Sequence, residues 1–366
     1  MELLNFCNTS DFKKVLVDNG YILKEFENLN LIKYDYNKNM KDNYQKYLKS
    51  TIFLDNKPIC VSPLKSLKLN DEFNMENLKV NLLEIEIQEL LDGTMINLFY
   101  DKDWIISTRS SIGGLNRWNN KKIKDLFMEC CNFQNLKENL NKDYSYSFVL
   151  QHEGIRNISF IKENKLILVD VFDLKTLQCF KDIDIKFENL PIEKIKNIKT
   201  NLKSLRDIIN KYIEDNKNNY NFKGLTFKTY NKEEEMCRYS YINEIYLKVK
   251  NELVVNDTNP LYIYSDLWKN NKLNDYLKIY SDKKESFLKY DNNLKTLLND
   301  LLQTYHSLHI HKYIERKDVK YQLNPLLYHL HKLHINDNVY INYNVIKNYM
   351  KTIDTARLVF TLKYYN

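Results

Sequence analysis

Residues 89–114 constrain the fold of this chain more strongly than any other stretch. They contain three of the six glycines among 366 residues, Gly93, Gly113 and Gly114. Apolar, strand-forming runs lie on both sides of a polar Asp-Lys-Asp sequence at residues 101–103, and this pattern predicts a β-hairpin. The LDGT sequence at residues 91–94 places a carboxylate and a flexible glycine between two strands, a suitable position for backbone N–H groups to meet a phosphate or a base.

The composition is that of a globular protein with two domains, or with one large domain and an appendage. Hydrophobic residues make up 43% and charged residues 28% of the chain, which is enough for a sizeable core. The 28 tyrosines occur together with many Asn and Lys residues, a bias that an AT-rich genome explains without any function. The alternative is a tyrosine-rich stacking surface.

Charge and cysteine usage indicate the cellular setting. The formal net charge of +7 permits a polyanionic partner without requiring one. The six cysteines form no C-x-x-C pair, and the adjacent Cys130 and Cys131 predict buried thiols, so we expect a reduced, intracellular protein. No signal peptide and no run of 18 apolar residues is found, so we expect no membrane association.

The periodicity of apolar residues predicts an α+β fold. An antiparallel-sheet core is expected over residues 1–257 and a helical C-terminal domain over residues 258–366, with a polar, proline-containing break between them. The predicted strands include residues 51–54, 58–61, 80–88, 144–151, 158–162, 165–171 and 224–230. The predicted helices include residues 12–19, 119–133 and 198–216.

Several motifs follow one another in a familiar order. They are the hairpin at residues 50–66, LDGTMINLF at 91–99, WIISTRSSIG at 104–113, YSFVLQH at 146–152 with Arg156, FKGLTFK at 222–228, and the tail at 330–366. In this order they resemble the covalent nucleotidyltransferases, specifically the RNA ligase family of the phage T4 type as found in large DNA viruses. The resemblance implies a nucleotidyltransferase-like core, ATP and Mg²⁺ as cofactors, RNA as partner, and a location in the host cytoplasm or a viral factory.

The resemblance also identifies a missing nucleophile. In that family a lysine two positions before the aspartate attacks the α-phosphate of ATP and forms a lysyl-AMP intermediate. Leu90 occupies that position in this chain, and its side chain has no lone pair. The metal-binding glutamate corresponds to Lys223, which inverts the charge, and the last basic pair falls near Met236 and Arg238. The resemblance therefore implies no catalytic residue at these positions.

The retained motif positions define the expected nucleotide site, which consists of Asp92, Gly93, Arg109, Arg156 and Lys228. Several of them also have a purely structural interpretation. Asp-Gly is a common turn pair, Arg109 could face solvent or pair with Asp92, and Lys228 could be an exposed strand lysine.

Six of the seven histidines lie within residues 306–334, in the mirror-image spacings H-x-x-H-x-H and H-x-H-x-x-H. Two antiparallel helices could bring them together around zinc, but no cysteines or acids cluster with them, so we expect helix packing and some contact with a polyanion rather than a metal site. Between the two groups lie the cations predicted to bind nucleic acid, Lys312, Arg316, Lys317 and Lys320. A solvated surface is the alternative for this cluster.

Three functions remain open. The leading hypothesis is a catalytically impaired, RNA-ligase-like protein that binds RNA, a nucleotide or both. The second is an active ATP-dependent RNA ligase in which a lysine outside position 90 carries AMP. The third is a structural viral protein that has kept only the fold.

Overall fold

A computed structural model describes residues 2–365, except residues 10, 34–41, 70–84, 119, 120, 156, 182–189, 191, 203, 231–234, 256 and 258. The chain divides into two compact units, Met1–Val249 and Lys250–Asn366. The first unit contains the β-sheets and the second is helical, so the α+β class expected from the sequence is confirmed.

The first unit, which we call the core unit, is built on β-strands. They are β1 (Ile22–Phe26), β2 (Leu29–Lys33), β3 (Ser50–Leu54), β4 (Lys57–Cys60), β5 (Leu67–Lys68), β6 (Glu86–Glu89), β7 (Thr94–Asp101), β8 (Asp103–Thr108), β9 (Ser111–Ile112), β10 (Arg117–Trp118), β11 (Lys121–Lys122), β12 (Tyr144–Gln151), β13 (Lys165–Asp173), β14 (Ile192–Lys194), β15 (Gly224–Tyr230) and β16 (Met236–Ile242).

Among the described residues these strands form three larger sheets and one two-stranded pair, β10-β11. The six-stranded sheet has the order β14-β13-β12-β7-β8-β9, and two four-stranded sheets have the orders β5-β16-β15-β6 and β1-β2-β3-β4. Neighbouring strands are antiparallel, except that β14 and β5 pair in parallel with β13 and β16. The predominance of antiparallel pairing agrees with the sequence prediction.

Short helices cover the sheets of the core unit. They are α1 (Glu2–Cys7), α2 (Phe12–Asp18), α3 (Ile123–Cys130), α4 (Phe133–Glu138), α5 (Leu205–Asp215) and α6 (Glu244–Glu252), the last of which spans the division between the units. Helix α3 buries Leu126 and Phe127 in one apolar cluster with Phe148 of the six-stranded sheet. Helix α5 buries Ile208 and Ile209 in another cluster with residues of β15. Burial of each such side chain stabilises the fold by about 1.5–3 kcal/mol.

The C-terminal unit has a single apolar core. Its helices are α7 (Pro260–Lys269), α8 (Leu273–Ile279), α9 (Lys284–Tyr305), α10 (Asn324–Asp337), α11 (Tyr343–Thr352) and α12 (Thr355–Lys363). Leu297 and Leu301 of α9, Leu330 of α10 and Leu362 of α12 are completely buried in this core. Among the described residues, no helix combines the length and apolar character that a membrane crossing requires.

Most predicted strands are confirmed, including residues 144–151 and 224–230 and the hairpins of β3-β4 and β7-β8. The prediction at residues 80–88 is described only from residue 85, where β6 forms. Cys130 and Cys131 are buried free thiols, as the sequence predicted.

Two helix predictions need correction. The helix expected at 119–133 forms only over Ile123–Cys130, because residues 121 and 122 belong to β11, and residues 119 and 120 lie outside the described part of the chain. A separate helix, α4, begins at Phe133, where the Asn132 side chain accepts hydrogen bonds from the N–H groups of Gln134 and Asn135. The helix expected from residue 198 begins only at Leu205, because Ser204 caps it by accepting from Asp207 N.

Candidate functional site

Residues 90–93 carry the chain from one sheet to another. Before them β6 pairs with β15, and Leu90 N still donates to Gly224 O at 2.8 Å. After them β7 pairs with β12, beginning at Thr94 opposite Leu150. The LDGT sequence is thus the junction of two sheets, and a cleft of about 500 Å³ lies beside it in the core unit.

Gly93 makes this crossing possible. Its φ angle is +143°, and a Cβ atom there would lie 2.6 Å from Leu150 O and 2.7 Å from Val149 Cγ1. Any side chain would therefore force the junction away from β12. The glycine that the sequence placed in the nucleotide site has a structural requirement of its own and also lines the cleft.

Asp92 fastens the junction to two other segments. Its Oδ2 accepts hydrogen bonds from the N–H groups of Ile158 at 2.8 Å and Ser159 at 3.0 Å, and its Oδ1 accepts from the hydroxyl of Tyr246 at 2.8 Å. The strand predicted at residues 158–162 is wrong, because the backbone N–H groups at its start bind this carboxylate instead of a neighbouring strand. Asp92 does not itself line the cleft, but its hydrogen bonds fix the junction whose residues Leu91 and Gly93 do line it.

The cleft is lined by both apolar and cationic side chains. The apolar lining includes Leu90, Met95, Trp118, Ile123 and Val149. The cations Lys49, Arg109, Lys223 and Arg238 also line it, and we call these four the cleft cations. The exposed Arg117 lines the cleft as well. Such a lining can contact an aromatic or apolar group and can also bind phosphates.

Leu90 lines the cleft and is half-buried. The position that the sequence resemblance assigns to an attacking lysine therefore does face the cleft. Because leucine offers no nucleophilic atom, no covalent intermediate can form at this residue.

Lys223, at the position that the sequence resemblance assigns to a metal-binding glutamate, is a partly buried cation. Its Nζ donates to Leu91 O at 3.0 Å and lies 3.8 Å from Asp92 Oδ1, so the amine is held against the junction. A divalent metal prefers carboxylate and carbonyl oxygens, and an ammonium group here repels it. Within the described residues no group of three or more His, Cys, Asp or Glu side chains could hold a metal ion. The residues at this position do not fit the implied Mg²⁺.

A buried ion network lies behind the cleft wall. Asp170 is completely buried, and its carboxylate lies 2.5 Å from Lys228 Nζ and 2.6 Å from Arg238 Nη1. Burial alone would raise the pKa of Asp170, but the charges of Lys228 and Arg238 outweigh it and hold that pKa below its usual value. Lys228 also lies 3.9 Å from Glu86, so the two cations face two carboxylates.

Lys228 is placed differently from the expected strand lysine. It is 2% exposed, it donates to Val169 O as well as binding Asp170, and it does not line the cleft. Of the other predicted nucleotide-site residues, Gly93 and Arg109 line the cleft, Asp92 supports it, and Arg156 lies outside the described residues.

Lys49 was missed by the sequence reasoning. The residue is half-buried in the cleft, and its amine makes no ion pair or hydrogen bond within the part of the chain that the structure describes. Burial, followed by the charges of Arg238 and Arg109, lowers the pKa of Lys49 to about 8. A lysine beside a strand gives no sequence signal of this environment. Asp170 did give one, since it is a lone acid in the apolar run LILVDVF at residues 166–172.

In the C-terminal unit, the four cations predicted to bind nucleic acid lie on one exposed loop, residues 311–323, which we call the basic loop. Two of them have acidic neighbours: Lys317 lies 2.8 Å from Glu315, and Lys320 lies 4.0 Å from Asp300. Tyr313 and Tyr321 on the same loop are 79% and 81% exposed. The loop therefore combines positive charge with accessible aromatic rings.

The histidines around the basic loop pack against one another. The rings of His309 and His331 stack with centroids 3.8 Å apart, and His334 Nδ1 donates to Val339 O at 3.0 Å. Two histidines of the first group, His306 and His309, lie in a π-helical turn, His306–Ile310, which follows α9. Burial, and then the neighbouring His331, lowers the pKa of His309. This contact is the helix packing that the mirror-image spacing predicted.

Comparison with known proteins gives no assignment at the level of sequence. No family model matches the chain, and no curated protein matches it. Solved structures with some similarity include a protein from Aquifex aeolicus described as an ATP-dependent DNA ligase (15% identity, TM-score 0.44), which aligns over 88% of this chain and 87% of that one. An archaeal ATP-dependent RNA ligase has 8% identity and a TM-score of 0.40 over 70% and 65% of the two chains.

A mutant RNA ligase from Naegleria gruberi, solved with ATP and manganese, has 16% identity and a TM-score of 0.32. It aligns over 45% of this chain, and the chain spans about half of the Naegleria ligase, 51%. Each of these TM-scores is below 0.5, so the likeness does not establish the function of this chain.

Proposed function

We propose that this protein is an RNA-ligase-like, nucleotidyltransferase-fold protein that binds the phosphates of a nucleotide or of an RNA end in the cleft of the core unit, without forming a lysyl-nucleotide at position 90. The observation that carries the proposal is the convergence of the four cleft cations on one cleft, which is also lined by apolar side chains that include Leu90. The motif order in the sequence supports the same assignment.

The cleft suits a nucleotide in size and chemistry. Small-molecule sites typically have volumes of about 300–1,000 Å³, and this cleft has about 500 Å³. Trp118 and the aliphatic residues can contact a base, while Arg109 and Arg238 can donate two parallel hydrogen bonds to a phosphate. Arg238 keeps its orientation because Asp170 binds it from behind.

The residue changes favour binding over chemistry. Compared with the family that the sequence resembles, Leu90 lacks the attacking amine, and Lys223 carries a positive charge where that family has a metal-binding carboxylate. The first change removes the nucleophile, and the second adds a positive charge that attracts an anion.

Binding of ATP to the full chain tests the proposal directly. We expect saturable binding by titration calorimetry, with Arg109→Gln weakening it about 10–100-fold, since a charge-assisted hydrogen bond contributes about 1.5–3 kcal/mol. Lys175→Gln is the matched control, because Lys175 pairs with Asp143 on the exposed surface and should leave affinity unchanged. Absence of binding to ATP and to 5′-phosphorylated RNA would leave only the third hypothesis, a structural protein that has kept the fold.

The basic loop is proposed to contact an RNA strand. Exposed cations track a phosphate backbone, and exposed aromatic rings stack on unpaired bases, which is how many proteins bind single strands. Lys312, Arg316, Lys317 and Lys320 would supply the charge, and Tyr313 and Tyr321 the stacking surface.

A second candidate function is nucleotidyl transfer through a displaced lysine. The observation favouring it is Lys49, a cleft amine whose lowered pKa leaves part of it neutral and nucleophilic near pH 8. Incubation with α-labelled ATP and Mg²⁺, followed by mass spectrometry of the lysines, separates the two functions. An amine-linked AMP adduct would establish the second candidate, and an unmodified chain that still binds ATP would remove it.

A further inference from the structure

Lys49 differs from the other cleft cations in the groups that stabilise its positively charged form. Arg109 and Arg238 are guanidinium groups, which stay charged at any physiological pH. Lys223 Nζ donates to Leu91 O and lies 3.8 Å from Asp92, and both oxygens favour its charged form. Lys49 has no such partner among the described residues.

The surroundings of Lys49 oppose its charge from several elements. Arg238 on β16, Arg109 after β8 and Lys223 before β15 all repel a proton on its amine. Asp170 on β13 attracts one, but its carboxylate is already bound by Lys228 and Arg238. Glu89 on β6 lines the same cleft. Burial and the repulsion from these three cations together outweigh the attraction of Asp170 for a proton on Lys49.

We propose that Lys49 is the residue through which this cleft responds to a bound phosphate: its amine takes up a proton as the phosphate binds and then forms an ion pair with it. This inference rests on the proposed phosphate site and specifies which residue completes it. A phosphate placed among the cleft cations cancels the repulsion that they exert on Lys49, so the charged form of the amine becomes favourable again.

Linkage fixes the sign of the pH effect. If phosphate binding increases the proton affinity of Lys49, then protonation of Lys49 must increase the affinity for phosphate by the same factor. Because the pKa of Lys49 lies at about 8 in the free protein, affinity is constant well below pH 8 and falls as the pH rises through 8. At pH 8 about half of the Lys49 amines are neutral, so binding takes up about half a proton.

Calorimetry of the full chain with ATP at pH 8, in two buffers with different ionisation enthalpies, measures this proton directly. ATP is the probe because its phosphates are fully ionised at this pH. We expect uptake of about half a proton by the wild type and about ten-fold weaker binding at pH 9 than at pH 7. Lys49→Arg keeps the charge but does not titrate, so it should bind ATP without proton uptake and with little dependence on pH.

Lys175→Arg, on the exposed surface, is the control and should take up the same proton as the wild type. ATP binding without proton uptake in the wild type, or equal uptake by Lys49→Arg, would overturn the role of Lys49 and leave the phosphate site standing. Absence of binding both to ATP and to 5′-phosphorylated RNA would overturn the phosphate site and, with it, the role of Lys49. The comparison within the wild type requires no variant, so a folding defect cannot obscure the result.

Discussion

Two groups of cations in the core unit use the same residue types for opposite purposes. In the buried network, Lys228 and Arg238 face Asp170 and Glu86, so positive and negative charges are matched. In the cleft, Lys49 has no carboxylate within bonding distance among the described residues. Arg238 belongs to both groups and joins them.

The cations of the buried network therefore support the fold, whereas the charge of Lys49 in the cleft is available to a ligand. A buried lysine with partners stabilises its surroundings only together with them, and its removal is harmful. A half-buried lysine without partners destabilises the fold while the ligand is absent. Substitutions that affect stability in opposite directions can therefore distinguish the two groups.

The largest effect is expected from Asp170→Ala. It leaves Lys228 and Arg238 without their carboxylate in a buried environment, so we expect a loss of about 3–5 kcal/mol in the free energy of unfolding, measured by urea denaturation. Asp143→Ala breaks an exposed pair with Lys175 and should change stability by at most about 1 kcal/mol. Equal effects of the two substitutions would contradict the distinction between the groups.

Asp92→Ala should destabilise the core unit by about 2–3 kcal/mol. It removes a charged acceptor of hydrogen bonds from Ile158 N, Ser159 N and the Tyr246 hydroxyl. Hydrogen exchange should accelerate at the amides of Ile158 and Ser159 before it changes in the centre of the sheets. Unchanged exchange at these two amides would show that Asp92 is not what holds this loop.

Lys49→Met should act in the other direction and stabilise the protein by about 1–2 kcal/mol at pH 7, because it removes a charge that burial disfavours. The pKa of Lys49 is about 8 in the folded chain and 10.5 ordinarily, so the destabilisation is complete below pH 8 and disappears as the pH rises to 10.5. Thermal unfolding at pH 7 and pH 10.5 measures both. Lys228→Met, the matched lysine of the buried network, should lower stability instead.

The smallest effect on stability is expected in the basic loop. Arg316→Gln with Lys317→Gln should change the free energy of unfolding by less than about 0.5 kcal/mol, since both side chains are exposed. The same pair should reduce the salt dependence of single-stranded RNA binding by about one to two units of the log–log slope. An unchanged slope would mean that RNA, if it binds, contacts another surface.

The sequence predicted the elements better than it predicted the site. Strands β12 and β15 and the β7-β8 hairpin followed from local patterns of apolar residues and turns. The segment at residues 158–162 has a strand-like pattern too, but a distant carboxylate, Asp92, binds its first N–H groups. The local sequence pattern cannot show that this distant carboxylate competes with a neighbouring strand for the N–H groups.

The site residues show the same limit. Gly93 and Arg109 were recognisable from motif order, and the structure brings both to the cleft. The environments of Lys49 and Lys228 depend on strands far away in the chain, so both resemble ordinary surface lysines in the sequence. Lys49 is half-buried and has no partner among the described residues, whereas Lys228 is fully buried and lies close to two carboxylates.

The contact between Lys223 and the junction has a consequence for substitutions at positions 90 and 223. Leu90→Lys by itself would add another cation to a cleft that Lys49, Arg109, Arg117, Lys223 and Arg238 already line, and its amine would be repelled by Lys223, which is held beside Leu91. Lys223→Glu by itself would place a second carboxylate next to Asp92, in place of the ammonium group that now faces it. Each substitution is unfavourable without the other, so we expect the two positions to accept the Lys and Glu of the resembled family only when both are introduced together.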